Sequence, residues 1–184
     1  MTGAATVVSS TTFITPLVGI NFGFDFNPVV DRIRVVSDAD QNLRLHPVTG
    51  GVAAQDGTLV YAAGDPNFGQ DPNVTSAGYT NSVSGATTTT LYDIDTGLDI
   101  LVTQNPPNAG TLNTVGTFGF STTGDAGFDI RGYDNAAYAA LTTTGESVSK
   151  LYRINLATGS ATLIATIGGG ETLRGLAIGP DNMP

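Results

Sequence analysis

The chain of 184 residues has no cysteine and a single histidine, His46. Without cysteine there are no disulfides, no thiolate metal sites and no cysteine nucleophile. One histidine also cannot build a metal site from several imidazoles. No Gly-x-Ser-x-Gly motif accompanies His46, so the sequence does not indicate a Ser-His-Asp triad. No apolar run approaches the roughly 20 residues that a membrane-spanning helix needs.

Charged residues are scarce as well, at 12% of the chain, and Lys150 is the only lysine. Acidic residues outnumber basic ones by 16 to 7, which gives a net charge of −9 at pH 7. This charge repels phosphate backbones and anionic lipids, so we expect no nucleic-acid or membrane partner, whereas a divalent cation fits better. The first residues lack the basic start and the long apolar centre of a signal peptide.

What the chain does contain is a repeated pattern. A Gly-Phe-Asp segment begins at Gly23 and returns at Gly127, and a shorter relative begins at Gly175. The long first interval contains a weaker copy at Ser76–Ser82. Each repeat has four short runs rich in β-branched and aromatic residues, separated by Gly, Asn, Asp and Pro. These runs are 22–27, 32–37, 42–47 and 51–61; 75–80, 87–94, 98–104 and 111–117; and 126–131, 135–142, 149–156 and 160–167.

These runs predict an all-β protein with β-propeller-type repeats, in which each repeat is a four-stranded antiparallel sheet, or blade. A β-sandwich is the alternative, although it usually lacks so regular a period. We expect one propeller-like domain over residues 1–184, with about three complete blades and one stray strand at each end. The expected repeats are approximately 20–74, 75–124 and 125–168, and the expected terminal strands are 2–14 and 172–180.

The ends of the chain suggest assembly, because three blades are too few for the closed rings known, which have four or more. The missing strands must come from residues outside this chain or from a second chain, unless an edge stays open. Residues 3–14 carry no charge, and neither terminal run has a lysine. Since an unprotected edge of this kind favours strand pairing, we expect a homo-oligomer or an edge-strand assembly.

Residues 23–45, 79–116 and 151–168 resemble a family of bacterial secreted proteins, domain of unknown function 4394. The blocks DFNPVVDRIRVVSD and TLYDIDT, with the later QNPPN, are the specific ones. The resemblance implies a propeller-like fold and an exported, extracellular protein. It also implies that a further blade or two normally precedes this chain, which would make it N-terminally incomplete. It implies no activity and no catalytic residues.

Alternating acidic residues mark the corresponding hairpin of the first two repeats. Hard anionic oxygens spaced two residues apart resemble the beginning of a calcium-binding loop. However, Leu43 and Thr49 stand where such a loop needs its turn glycine and its bidentate glutamate. The other interpretation is that Asp and Asn side chains stabilise tight turns. The candidate Ca²⁺ ligands are Asp38, Asp40, Asn42, Asp93 and Asp95.

A second polar set follows the innermost strands, whose loops meet at one mouth of a propeller channel. Carboxylates gathered there could bind a ligand or act as acid and base. Alternatively, Asp25 and Asp129 accept backbone hydrogen bonds that join neighbouring blades, and Asp31 pairs with Arg32 or Arg34. The candidate ligand-binding residues are Asp25, Asp31, Asn81, Asp129 and Asp134, and Asn27, Arg131 and Asp181 complete the set.

These features favour a non-enzymatic extracellular domain that binds a partner or assembles with itself, as a partial propeller completed by partner strands or subunits. The alternative is a metal-assisted hydrolase or lyase with an acidic site at the channel mouth. A cation, or a carbohydrate stacked on Tyr79, Tyr133 or Tyr138, is the expected class of small ligand. Ca²⁺ is the only cofactor that the sequence suggests.

Overall fold

A computed structural model describes residues 4–9 and 14–179 of the chain. Within these residues the structure contains strands β1 to β13 and one 3₁₀ turn, Pro107–Ala109, but no α-helix. None of these residues belongs to a helix that is long and apolar enough to cross a membrane. The predicted all-β class is therefore confirmed.

The strands form three sheets in chain order, and neighbouring strands are antiparallel with one exception. Sheet I contains β1 (Phe22–Asn27), β2 (Arg32–Ser37), β3 (Asn42–Leu45) and β4 (Val52–Gln55). Sheet II contains β5 (Val60–Tyr61), β6 (Val74–Tyr79), β7 (Leu91–Asp95), β8 (Ile100–Gln104) and β9 (Thr111–Thr117). Sheet III contains β10 (Thr122–Ile130), β11 (Ala137–Thr143), β12 (Lys150–Ile154) and β13 (Ala161–Thr166).

The predicted run 51–61 is divided in the structure, since β4 ends at Gln55 and β5 begins at Val60. Short β5 leaves sheet I and pairs in parallel with β9 of sheet II. The division occurs where the carboxylate of Asp56 turns inward to two arginines and Gly57 donates its N–H to the carbonyl of Asn108. A Cβ on Gly57 would lie 2.4 Å from the carbonyl oxygen of Ala109. Only glycine allows the two segments to approach so closely.

The predicted terminal strands are not formed in the described parts of their ranges. No strand is assigned to residues 4–9 or to residues 172–179. The remaining residues of the two predicted strands, 2–3, 10–13 and 180, lie outside the described residues. A strand is defined by its pairing with a neighbouring strand, and neither segment belongs to a sheet within the described chain.

The three sheets stack through alternating faces of their strands. On β2, Arg34 and Val36 face sheet II, whereas Ile33 and Val35 face the opposite side, where they pack with β3. One buried cluster joins Val36 to the apolar residues of sheet II. A second cluster joins Ile94 and Leu101 of sheet II to Phe128, Ile130, Leu141 and other residues of sheet III. Sheets II and III thus each bury one apolar face against the sheet that precedes them.

A buried ionic network also holds sheet I against sheet II. The side chain of Arg34 is only 2% exposed, and its Nη1 lies 2.7 Å from Asp56 Oδ2. It also donates to Asn42 Oδ1 at 2.6 Å and to Asn108 Oδ1 at 2.9 Å. Arg44 binds both oxygens of Asp56 at 2.8 Å. A buried guanidinium is tolerated because several acceptors replace its water.

The innermost strands β1, β6 and β10 lie next to one another at the inner edges of the three sheets. Their close approach requires glycine. A Cβ on Gly23 would lie 2.6 Å from the backbone nitrogen of Ala77 on β6. Two residues later, Asp25 Oδ2 accepts the N–H of Tyr79 at 2.6 Å. We call this combination of a glycine and an aspartate across two neighbouring segments the inner-strand contact.

The inner-strand contact recurs at the far side of sheet III. A Cβ on Gly127 would lie 2.5 Å from the carbonyl carbon of Gly175, and Asp129 Oδ2 accepts the N–H of Ile178 at 2.6 Å. Residues 175–178 therefore lie against β10 as β6 lies against β1. The alternative interpretation of Asp25 and Asp129, that their carboxylates join neighbouring units through backbone hydrogen bonds, agrees with these contacts.

The substitution Gly23→Ala tests the inner-strand contact. The added methyl group would meet the backbone of β6, which cannot move away as a flexible side chain can, so we expect the free energy of unfolding to fall by about 2–4 kcal/mol. Urea denaturation followed by circular dichroism measures this change. Gly168→Ala is the matched control, since no atom lies within 4 Å of a Cβ at Gly168. Equal losses in the two variants would contradict the proposed role of Gly23.

Candidate binding cleft at the inner-strand ends

A cleft of about 620 Å³ opens where β1, β6 and β10 end. Its walls come from the ends of β1 and β10, from the loops that follow β6 and β10, and from residues 177–179. Apolar and charged groups alternate around it. The residues that matter most for its chemistry are Asp25, Phe26, Asp129, Arg131, Tyr133 and Ile178.

Asp25 and Asp129 occupy equivalent positions in the cleft. Asp25 accepts the N–H of Phe26 at 2.7 Å on one oxygen and that of Tyr79 at 2.6 Å on the other. Asp129 accepts the N–H of Ile130 at 2.7 Å and that of Ile178 at 2.6 Å in the same way. Each carboxylate thus binds its own strand and the neighbouring inner segment, and each is partly exposed to the cleft.

Burial changes the acidity of both groups. Loss of hydration raises the pKa of Asp25 to about 7, against the backbone hydrogen bond from Tyr79, and the negative charge of Asp129 raises it further. The pKa of Asp129 is raised as well, mainly by burial and against its two backbone hydrogen bonds. Around neutral pH the carboxyl group of Asp25 can therefore gain or lose a proton.

Arg131 and Asp134 form an ion pair at the rim. Arg131 Nε lies 3.0 Å from Asp134 Oδ1, and Nη2 lies 2.6 Å from Oδ2. The hydrogen bonds from Arg131 lower the pKa of Asp134 to about 2, so this carboxylate is ionised. The guanidinium also lies over the ring of Tyr133, with Cζ 4.5 Å from its centroid. The positive charge of Arg131 is thus already neutralised by a partner.

The structure brings some of the predicted ligand-binding residues together and separates others. Asp25 and Asp129 line the cleft, and Asp134 reaches it through Arg131. Asn81 exchanges hydrogen bonds of 2.7 and 2.9 Å with Asn135 and precedes the lining residue Ser82. Asp31 is exposed and does not line the cleft. The predicted residue Asp181 lies outside the described residues.

Sequence reasoning missed the loop Ser82–Ser84, which forms one wall of the cleft. The loop follows the weakest copy of the repeat, where no Gly-Phe-Asp segment marks the end of the inner strand. The available signal was the position of the loop after an inner strand, directly following the predicted residue Asn81.

In the first group of predicted calcium ligands, Asp38 makes contacts typical of a turn, whereas Asn42 belongs to the network around Arg34. Asp38 accepts the N–H groups of Ile20 and Asn21 at 2.8 and 3.1 Å. Asn42 accepts from Arg34 and donates to the carbonyl of Gly57. Asp40 has a left-handed backbone with φ 59°, and burial together with Asp71 raises its pKa to about 6.

The second group behaves differently at its two positions. Asp95 Oδ1 accepts the N–H groups of Gly97 and Leu98 at 2.8 and 3.1 Å, as a turn residue does. Asp93 is fully buried, and neither of its oxygens has a hydrogen-bond partner. Burial raises its pKa to about 8, against the attraction of Arg34, so the group is mostly neutral at pH 7.

Within residues 4–9 and 14–179, no group of three or more acidic or histidine side chains is placed to hold a metal ion. The calcium site thus stays a prediction.

The raised pKa of Asp25 predicts that the stability of the protein depends on pH. Because the folded state binds this proton more tightly than the unfolded chain, the stabilising effect of the proton is full below about pH 4 and is lost as the pH rises to about 7. We expect the stability advantage of the wild type over Asp25→Asn to shrink across this range by about 2–4 kcal/mol. Urea denaturation at a series of pH values measures it, and parallel profiles for the two proteins would argue against the raised pKa.

Comparisons with known proteins give one match. No curated protein and no solved structure matches the chain. A family model, described as a domain of unknown function (DUF4394), matches residues 1–177. Since this match covers nearly the whole sequence, the chain belongs to the DUF4394 family.

Proposed function

We propose that this protein is a non-enzymatic domain that assembles with copies of itself, by continuing the stack of sheets beyond sheet I in a propeller-type arrangement. The proposal is carried by a contrast between equivalent positions of the first and third repeats. It agrees with an extracellular setting, which the low charge and the abundance of turn residues also favour.

Phe24 and Phe26 on β1 correspond to Phe128 and Ile130 on β10, because each pair alternates with the glycine and aspartate of an inner-strand contact. Phe128 and Ile130 are only 4% and 2% exposed, since they pack against sheet II. Phe24 and Phe26 are 55% and 53% exposed. The same kind of surface is thus covered by a preceding sheet in one repeat and uncovered in the other.

The exposed rings lie on the side of sheet I where Ile33 and Val35 are buried, at 8% and 5% exposure. In the β1–β2 register Phe24 pairs with Val35 and Phe26 with Ile33, and directly paired side chains point to the same side of a sheet. The two rings contact each other edge to face, with centroids 5.8 Å apart. Exposed apolar patches of this kind mark interaction sites.

The chain also carries a surface that could cover this face in another copy. At the far side of sheet III, residues 175–178 lie against β10 through an inner-strand contact, but within the described chain they pair with no strand. The sheet I face of one copy and this end of another would make a heterologous contact. Such contacts produce rings when the rotation closes and filaments when it does not.

The double substitution Phe24→Ser/Phe26→Ser tests the assembly. If each ring contributes about 1.5–3 kcal/mol to the contact when buried, the dissociation constant should rise at least about a hundredfold. Sedimentation velocity over a concentration series measures it, with 18.8 kDa as the mass of a single chain. Phe68→Ser is the matched control, because Phe68 is 64% exposed but lies outside the strands of sheet I.

Two outcomes would contradict this proposal. One is a wild-type protein that sediments as a single chain at every concentration. The other is an assembly that Phe68→Ser weakens as much as the double variant does. Circular dichroism of all three proteins shows whether a loss of assembly reflects a loss of folding.

A further inference from the structure

The cleft at the inner-strand ends has an unbalanced set of charged groups. Among the described residues that line it, Arg131 is the one basic side chain, and Asp134 accepts hydrogen bonds from both Nε and Nη2 of this residue. Asp25 and Asp129 lack any basic partner among the described residues and are held by backbone N–H groups alone. A cationic group that entered the cleft would therefore meet carboxylates that no cation of the protein neutralises.

Both carboxylates retain the capacity to accept further hydrogen bonds. Each of their oxygens accepts one N–H in the structure, and a carboxylate has about four acceptor positions in total. Both residues line the cleft and are partly exposed. An ammonium group has three donors and a guanidinium has five, so either could bind to both carboxylates.

The remaining walls of the cleft are suited to an apolar stem. Phe26, Val83, Ile130 and Ile178 line it, and Phe26 and Val83 are exposed. The exposed ring of Tyr133 adds an aromatic surface at the side where Arg131 lies. A volume of about 620 Å³ falls within the range of ligand pockets and far exceeds what a single ion requires.

We propose that the cleft binds an organic cation, namely a primary ammonium or guanidinium group on a short aliphatic stem, with Asp25 and Asp129 as its acceptors. A bare divalent cation would demand several oxygen ligands at once, and no group of three or more acidic or histidine side chains is placed to hold one among the described residues. A neutral polyol would leave the charges of the two carboxylates uncompensated. The proposal rests on the lining of the cleft. Phe26 and Ile178 also belong to the proposed assembly surfaces, whereas the two acceptors are tested separately from assembly by the substitutions below.

Isothermal titration of the wild-type chain with n-butylammonium chloride tests this inference at constant ionic strength. n-Butanol is the neutral probe of the same shape, and sodium butyrate is the anionic one. We expect n-butylammonium to bind at least about tenfold more tightly than either. Equal binding of n-butanol would overturn the proposal, as would the absence of n-butylammonium binding up to high millimolar concentration.

Two variants and one control locate the site. Asp25→Asn and Asp129→Asn should each weaken n-butylammonium binding at least about tenfold, because a charged acceptor is lost. Asp31→Asn makes the same change of charge at an exposed residue outside the cleft, and binding should stay within about twofold of the wild type. If all three variants bound n-butylammonium equally weakly, the change in net charge alone would explain the weakening, and the proposal would be overturned.

A pH series on the wild-type protein tests the role of Asp25 in n-butylammonium binding without any substitution. Ionisation of Asp25 should strengthen n-butylammonium binding between about pH 5.5 and pH 8, because the carboxyl has a pKa of about 7 in the empty cleft. Asp129, whose pKa burial also raises, is the other acidic residue that lines the cleft, whereas Arg131 and Asp134 keep their charges. Binding that is constant over this range would contradict a role for Asp25.

Discussion

The close approach of the inner strands is the constraint on which the rest of this structure depends. Two backbones can lie this near each other only where a Cβ is missing, as at Gly23 and Gly127. The aspartate two residues later then satisfies a backbone N–H that belongs to the neighbouring segment. Because the inner edges are fixed in this way, the sheets stack face to face from those edges outward, and their bulky faces become buried between them.

The same constraint creates the cleft. An aspartate that must reach across to the next inner strand is placed at the end of its own strand, where several loops converge. Asp25 therefore has a structural role and a chemical one at the same position, and its burial is what raises its pKa. The cost of keeping a carboxyl group there is offset by hydrogen bonds to two backbone N–H groups.

Much of this architecture could be predicted from the sequence, because its determinants are local. The Gly-Phe-Asp segments at Gly23 and Gly127 identify the inner strands, and turn residues divide the runs that become the other strands. The path of β5 could not be predicted, since its pairing with β9 depends on contacts between residues far apart in the chain. The surroundings of the acidic residues in the first two hairpins could not be predicted for the same reason. Spacing alone did not reveal that Asp93 would be buried without a partner while Asp95 stabilises a turn.

The network around Arg34 has a consequence for how the protein unfolds. Its guanidinium joins β2 to Asp56, which follows β4, and to Asn108, 74 residues away, which precedes β9. Removing Asp56 would leave the charge of Arg34 in the interior without its ionic partner, at a cost of several kcal/mol. Sheets I and II therefore form one cooperative folding unit, and neither gains by opening alone. Sheet III adjoins that unit through an apolar cluster, without a comparable buried ion pair among the described residues.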